Sequence, residues 1–263
     1  MYIYLSHTSK KFLFFLLFFG FGIKIPIWPF YYWLTKTHVE APTFFSIYLS
    51  GFLVKTALYG FYKLFFFLIF DNLYIYYTIL LFGVCDVSLK FFCQVDLKKL
   101  VAYSTVQEMN LIYIGLLWGS KKSMLYVSFF SLIHALLSTM FFFIIDILYK
   151  RYYSRTIYNI SSVFLNYPTI SLTLILLCFN YNGFPCSLKF FVEIFFFYML
   201  FEINAFSTLL VLIILNWFGT INFTYLWFRT LFGVNNFLYN IYNIDVLKKE
   251  LLIFWITFFI FYQ

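Results

Sequence analysis

The sequence predicts an all-α polytopic membrane protein with about eight transmembrane helices, two of them discontinuous. Three observations carry that reading. The 263-residue chain is 64% hydrophobic and 11% charged, with a mean hydropathy of +0.90, whereas soluble domains hold about 45–50% apolar and about 25% charged residues. Apolar runs near the ~20 residues that cross a bilayer as a helix recur along the chain. Finally, the runs do not alternate: residues 12–19 are apolar throughout and 251–262 at all but Thr257, while strands of a membrane barrel would alternate polar and apolar positions.

The spans are expected at about 11–31, 44–69, 72–92, 97–118, 123–149, 168–200, 206–231 and 249–263. The first begins after Lys10 and Lys11 and lacks a small-residue cleavage site, so it is read as a spanning helix and not a cleaved signal. Connections are short except about 150–167 and 232–248, and no linker or soluble domain is evident. Two spans are interrupted. The first holds Pro26 and Pro29 in GIKIPIWPF; the sixth holds Asn182, Gly183 and Pro185 in NYNGFPCSLKFFVE. Proline removes a helical donor and clashes with the preceding turn. Irregular backbone at membrane depth survives only inside protein or beside a water-filled cavity. Paired interruptions are the best sequence pointer to an ion path in an inverted-repeat transporter.

Five ionisable residues fall inside the spans: Lys24, Lys55 in SGFLVKTALYG, Glu108 in YSTVQEMNLIY, His134 in FFSLIHALLSTM, and Glu193. Each charged group at mid-membrane costs about 2.5–3.5 kcal/mol on insertion scales, so each needs a reason. Singly, the reasons can be bland. His134 could be a helix-packing group, Lys24 could snorkel from a span end, and Glu193 could pair with Lys189 four residues earlier. Asp146 and Lys189 are placed nearer span ends. Together with two broken helices, the five favour a chain of titratable groups that passes protons. Lys36, His38 and Glu40, in WLTKTHVEAP, are secondary polar residues at one end of that path.

Other chemistry finds little support. Cys85, Cys93, Cys178 and Cys186 form no CxxC pair and are read as free thiols. Three histidines offer no paired haem or zinc pattern, and there is no phosphate-cradling glycine loop, so no metal or cofactor is expected. With alternating sides, Lys36, Lys90, Lys98, Lys99, Lys150, Arg151, Arg155, Arg229, Lys248 and Lys249 fall on one face, against Lys10, Lys11, Lys63, Lys121 and Lys122 on the other. The richer face is the matrix or cytoplasmic side. This bias and anionic lipid, cardiolipin included, account for the net charge of +8; nucleic acid binding has no support. The 42 Phe and 24 Tyr exceed an interfacial belt and reflect AT-rich codons, which points to an organellar, mitochondrial gene and to the mitochondrial inner membrane.

The segment GIKIPIWPFYYWLTKTHVEAPTFFSIYLSGFLVKTALYG resembles subunit 4 of the NADH dehydrogenase of mitochondrial respiratory complex I. That family reads Val-Lys-x-Pro, then Trp-Leu-Pro-Lys-Ala-His-Val-Glu-Ala-Pro, then a Leu-Leu-Lys span. VDLKKLVAYSTVQEM looks like its Thr-Asp-Leu-Lys-Ser-Leu-Ile-Ala-Tyr-Ser-Ser-Val stretch, SLIHALLSTMFFFIIDILYKRYYSRTI like its Ala-His-Gly-Leu segment, and NGFPCSLKFFVEIFFF like its Pro-x-x-x-Asn-Phe-x-Gly-Glu stretch. The likeness is collinear over about residues 12–231. It implies an antiporter-like, proton-translocating membrane-arm subunit without a redox cofactor, working with other complex I subunits that oxidise NADH and reduce ubiquinone.

The implied fold has inverted five-helix repeats. Residues 1–71 would be the last two helices of the first repeat, 72–231 the second repeat, and 232–263 a loop and extra helix. Lys24, Lys55, His134 and Glu193 match the family's proton-path residues. Departures are Glu108, where Ser-Val-Ala-His-Met has histidine, and Thr35, where the family has a proline that stiffens the turn. About six N-terminal helices of the family precede the matched region, including one whose glutamate would pair with Lys24, so a separate polypeptide is expected to supply them. Competing readings are a stand-alone cation/proton antiporter component and a structural subunit that no longer pumps.

Overall fold

The structure is a computed structural model that describes residues 7–65, 73–117, 121–185, 187–202, 206–234, 245–247, 250 and 253–254. The expected eighth span lies outside the described residues except at 250, 253 and 254, as do Cys186, Lys248 and Lys249. Regular structure among the described residues is helical, apart from one antiparallel bridge between Asp96 and Thr156.

Helix α1 (His7–Lys24) ends where the first predicted break begins, and α2 (Tyr32–Glu40) follows the break. WLTKTHVE is therefore helical, and its turn is well anchored despite lacking the family proline. Trp33 Nε1 donates to the Ile23 carbonyl at 2.7 Å, and the buried Thr35 hydroxyl donates to Tyr32 O at 3.0 Å. Next come α3 (Thr43–Tyr48), a π-helical turn (Leu49–Leu53) and α4 (Val54–Phe65). Nothing in the sequence reading anticipated the π turn. It presents Gly51 to α7, where a Cβ would come within 2.8 Å of Thr139 Cγ2.

Helices α5 (Tyr74–Lys90), α6 (Leu97–Leu117) and α7 (Lys121–Tyr152) coincide with the third to fifth expected spans. The segments Thr43–Leu64, Tyr74–Cys93 and Ser123–Tyr152 are long and apolar enough to cross a membrane. Helix α6 carries Lys98, Lys99 and Glu108 and is less apolar, yet it is buried along nearly its whole length. It packs between α5, α7 and α2. A helix enclosed by protein on all sides can carry polar groups that lipid would reject, and Gln107, Glu108 and Asn110 are all buried on it.

The 150–167 connection is organised and not slack. Leu97 N donates to Arg155 O and Ile157 N to Val95 O. Arg155 Nη1 donates to Val39 O at 2.8 Å, and a short α8 (Val163–Asn166) leads into α9 (Pro168–Tyr181). The second predicted break then separates α9 from α10 (Leu188–Glu202), and α11 (Phe206–Phe232) completes the described fold. Aromatic packing joins these helices: Phe141 of α7 lies edge-on to Tyr181 of α9 and Phe223 of α11, with ring centroids 6.0 and 5.2 Å apart. A second cluster, Phe18 stacked on Tyr113 at 5.2 Å and Phe61 edge-on to Tyr113 at 4.6 Å, joins α1, α6 and α4.

At the second break Gly183 has φ +65°, and a Cβ there would stand 2.8 Å from Glu193 Oε2. Gly183→Ala is expected to cost about 1–2 kcal/mol for the left-handed backbone and to displace the Glu193 carboxylate as well. A lowered thermal midpoint of the purified assembly relative to wild type checks this; an unchanged midpoint would contradict it.

Candidate functional site: a buried chain of charged side chains

Five helices, α2, α4, α6, α7 and α10, deliver polar side chains to one buried region. Glu108, from the enclosed middle of α6, and His134, from the middle of α7, are 1% and 2% exposed. His134 Nδ1 lies 2.7 Å from Glu108 Oε2. With the carboxylate ionised as acceptor, Nδ1–H is the donor, and Nε2 keeps the lone pair that can take up a proton. Nε2 is buried and has no hydrogen-bond partner among the described residues.

The other Glu108 oxygen, Oε1, accepts from Lys189 Nζ at 2.5 Å. Lys189, the second residue of α10, is 2% exposed. The break before α10 drops the start of that helix into the protein interior. Lys189 also lies 3.4 Å from Glu193 Oε1, so the expected i,i+4 pair forms, but the same ammonium is shared with Glu108. The Glu193 side chain is 15% exposed. Glu193 is thus the outer end of the group.

Lys55 stands one residue after the start of α4. Its ammonium donates to the Ser50 carbonyl in the π turn at 2.5 Å. It lies within electrostatic reach of Glu108, His134 and His38. His38 is 1% exposed and stacks on Phe142 with centroids 4.7 Å apart. Neither ring nitrogen has a hydrogen-bond partner among the described residues. The sequence placed His38 among secondary loop charges; it belongs to the buried chain instead. Helix α2 turns it inward while Lys36 and Glu40 remain exposed.

Lys24 is not brought into this group. It is exposed at the end of α1 and forms no hydrogen bond or ion pair among the described residues. Pro26 is buried in the first break, while Pro29 and Pro185 are exposed. On the basic end, Tyr31 donates to Asp86 and accepts from Lys90, with Lys90 Nζ 2.7 Å from Asp86 Oδ2. Lys98 donates to Ala41 O at 2.7 Å. No group of three or more His, Cys, Asp or Glu side chains among the described residues is arranged to hold a metal.

The arrangement runs Lys55, His134, Glu108, Lys189, Glu193, alternating groups that give and take protons. Side chains so enclosed can exchange protons with one another, or with water admitted between them.

Comparison with known proteins bears on the family and the fold. The chain is 42% identical over 260 residues to NADH-ubiquinone oxidoreductase chain 4 of Paramecium tetraurelia, covering 96% of this chain and 54% of that one. It spans about half the length of the curated relatives it matches. Its fold superposes on a chain of respiratory complex I from Thermus thermophilus with a TM-score of 0.85 at 16% identity, covering 98% of this chain and 55% of that one. It also matches a chain of the Mrp complex from a Dietzia species at TM-score 0.81 and 16% identity, covering 88% and 44%. At such identities the likeness speaks for the fold alone. The family profile described as NADH:quinone oxidoreductase/Mrp antiporter, TM, matches residues 2–220, and this chain, with its two broken helices and buried charge chain, belongs to that family of integral membrane subunits.

Proposed function

We propose that this chain is the C-terminal part of a subunit 4 in the membrane arm of a respiratory complex I, where it translocates protons across the mitochondrial inner membrane. Electron transfer from NADH to ubiquinone is carried out by other subunits. The observation that carries the reading is the buried run His134–Glu108–Lys189–Glu193, with successive contacts of 2.7, 2.5 and 3.4 Å, together with Lys55 at the π turn. A structural bundle gains nothing from so many titratable groups at a depth where each charge is costly.

In this reading residues 1–71 close a first antiporter-like repeat, 72–231 form the second, and 232–263 are a loop and an extra helix. The face bearing Lys36, Lys90 and Lys98 lies toward the matrix. An acidic side chain packed against α1 is the partner for Lys24. Support comes from Lys24 itself, an exposed ammonium at the end of the apolar run that closes α1. Anionic lipid contacts the basic face.

The test is Glu193→Gln in the intact assembly, which keeps size and hydrogen bonding but removes the proton site. Protons translocated per electron are expected to fall roughly tenfold or more, with NADH oxidation measured in parallel. Full translocation in this variant would overturn the reading. A second reading, a component of a cation/proton antiporter, is favoured by the comparable superposition on the Mrp chain. Copurification with flavin and iron–sulfur subunits decides for complex I; their absence from an intact preparation decides for the antiporter.

A further inference from the structure

Lys189 is a residue that neither the span pattern nor the family likeness singles out. Its ammonium donates to Glu108 Oε1 at 2.5 Å and to the Tyr181 carbonyl at 2.6 Å, and forms an ion pair with Glu193 Oε1 at 3.4 Å. It also lies 4.0 Å from the centroid of the Tyr181 ring. Tyr181 is the last residue of α9. The break after it leaves its carbonyl without an intrahelical donor, at the helix end that favours a cation. The second break therefore does more than bend the span: it makes a seat for one ammonium.

That seat governs Glu108. Lys189 takes Oε1 and His134 takes Oε2, so the lysine fixes the carboxylate's rotation, and with it the oxygen offered to the imidazole. Two departures from the quoted motifs also meet here. Glu108 stands where Ser-Val-Ala-His-Met has histidine. Aligned on Pro185 and Glu193, Pro-x-x-x-Asn-Phe-x-Gly-Glu has asparagine where this chain has Lys189. The two changes are 81 residues apart in sequence and in direct contact in space.

We propose that Lys189 is a positioning residue for the buried chain, holding Glu108 against His134, and that Glu108 and Lys189 form one coupled unit, each tolerated in the interior only with the other. This rests on the proton-translocation reading above. A buried ion pair that loses one partner leaves an uncompensated charge, so changing either alone should be worse than changing both.

The experiment is a double-mutant cycle in the intact assembly with E108H, K189N and E108H/K189N. The amount of assembled complex, protons translocated per electron and the pH profile of translocation are read for each. Each single variant is expected to lower translocation per electron by about tenfold, with non-additivity of similar size in the cycle. The double variant is expected to recover at least roughly half of the wild-type value, because a histidine and an amide replace the 108–189 ion pair with no charge stranded at either position, and only the partly exposed Glu193 carboxylate loses its ammonium. The proposal is overturned if K189N translocates as wild type with an unchanged pH profile. It is overturned equally if the double variant equals the product of the singles, or if the singles only lower the amount of complex while each assembled complex pumps normally. Where neither single accumulates, the double variant decides: accumulation with translocation supports the unit, and failure to accumulate overturns it. Failure of the function reading is distinct, since it would show as Glu193→Gln pumping normally whatever the cycle gives.

Discussion

Lys55→Met is expected to lower proton translocation per electron roughly tenfold or more, while the assembly still forms. Methionine is unbranched and apolar and fits a helix facing protein and lipid, so the substitution removes the titratable group with little cost in packing. Lys55→Arg is the informative companion. It keeps the positive charge within electrostatic reach of Glu108 and His134, but a guanidinium does not release its proton in a protein. If Lys55 carries protons, arginine fails as methionine does. If Lys55 acts only as a fixed charge biasing its neighbours, arginine restores translocation. Full activity of Lys55→Met would remove Lys55 from the path altogether. Both variants leave the Ser50 carbonyl in the π turn in place, so a change in assembly level would report on the turn and not on proton transfer.

The two breaks were legible because their causes are local: proline and glycine act on the backbone where they stand. Lys55, Glu108, His134 and Glu193 were legible because burying a titratable group is costly wherever its partner lies. The partnerships were not. Which oxygen of Glu108 faces which cation depends on how α6, α7 and α10 face one another, and helix periodicity says nothing about that. The role of Lys189 was hidden because four residues after a proline reads, in sequence, as the edge of a span; only the geometry of the break shows that this edge is buried against Glu108. His38 was hidden for a related reason. Its neighbours Lys36 and Glu40 are charged and exposed, so the stretch reads as a polar turn, but a short helix sends alternate sides to water and to Phe142. The π turn at Leu49–Leu53 left no signal beyond Gly51, because a single extra residue per turn hardly disturbs the pattern of apolar positions. Helix α6 is the opposite case: its three charged residues lower its hydropathy, and its enclosure by α2, α5 and α7 explains why that polarity is tolerated.

Arg151→Ala is expected to be the most destabilising single change at the basic end of the fold, costing about 3–5 kcal/mol, as breaking a buried ion pair does. Arg151 leaves the last turn of α7 with 8% of its side chain exposed. It donates to Ile147 O at 3.1 Å, Asp245 O at 2.5 Å and Glu250 Oε2 at 3.0 Å, and its guanidinium lies over the Tyr167 ring at 5.4 Å. Glu250 also accepts from Leu247 N, and Asp245 accepts from Thr169 N at the start of α9. One guanidinium thus ties Asp245 and Glu250 to the end of α7, and removing it leaves the buried Glu250 carboxylate with Leu247 N but no cation. Arg151→Lys keeps the charge but not the fork that spans two acceptors, so it should fall between wild type and alanine. The preceding residue is the control. Lys150 pairs with Asp146 at 2.5 Å but is 66% exposed, and water screens an exposed pair to within about 1 kcal/mol. Lys150→Ala should therefore leave the thermal midpoint of the assembly nearly unchanged while Arg151→Ala lowers it sharply. Equal effects from the two substitutions would mean that the Arg151 clamp does not hold the segment after α11 in place.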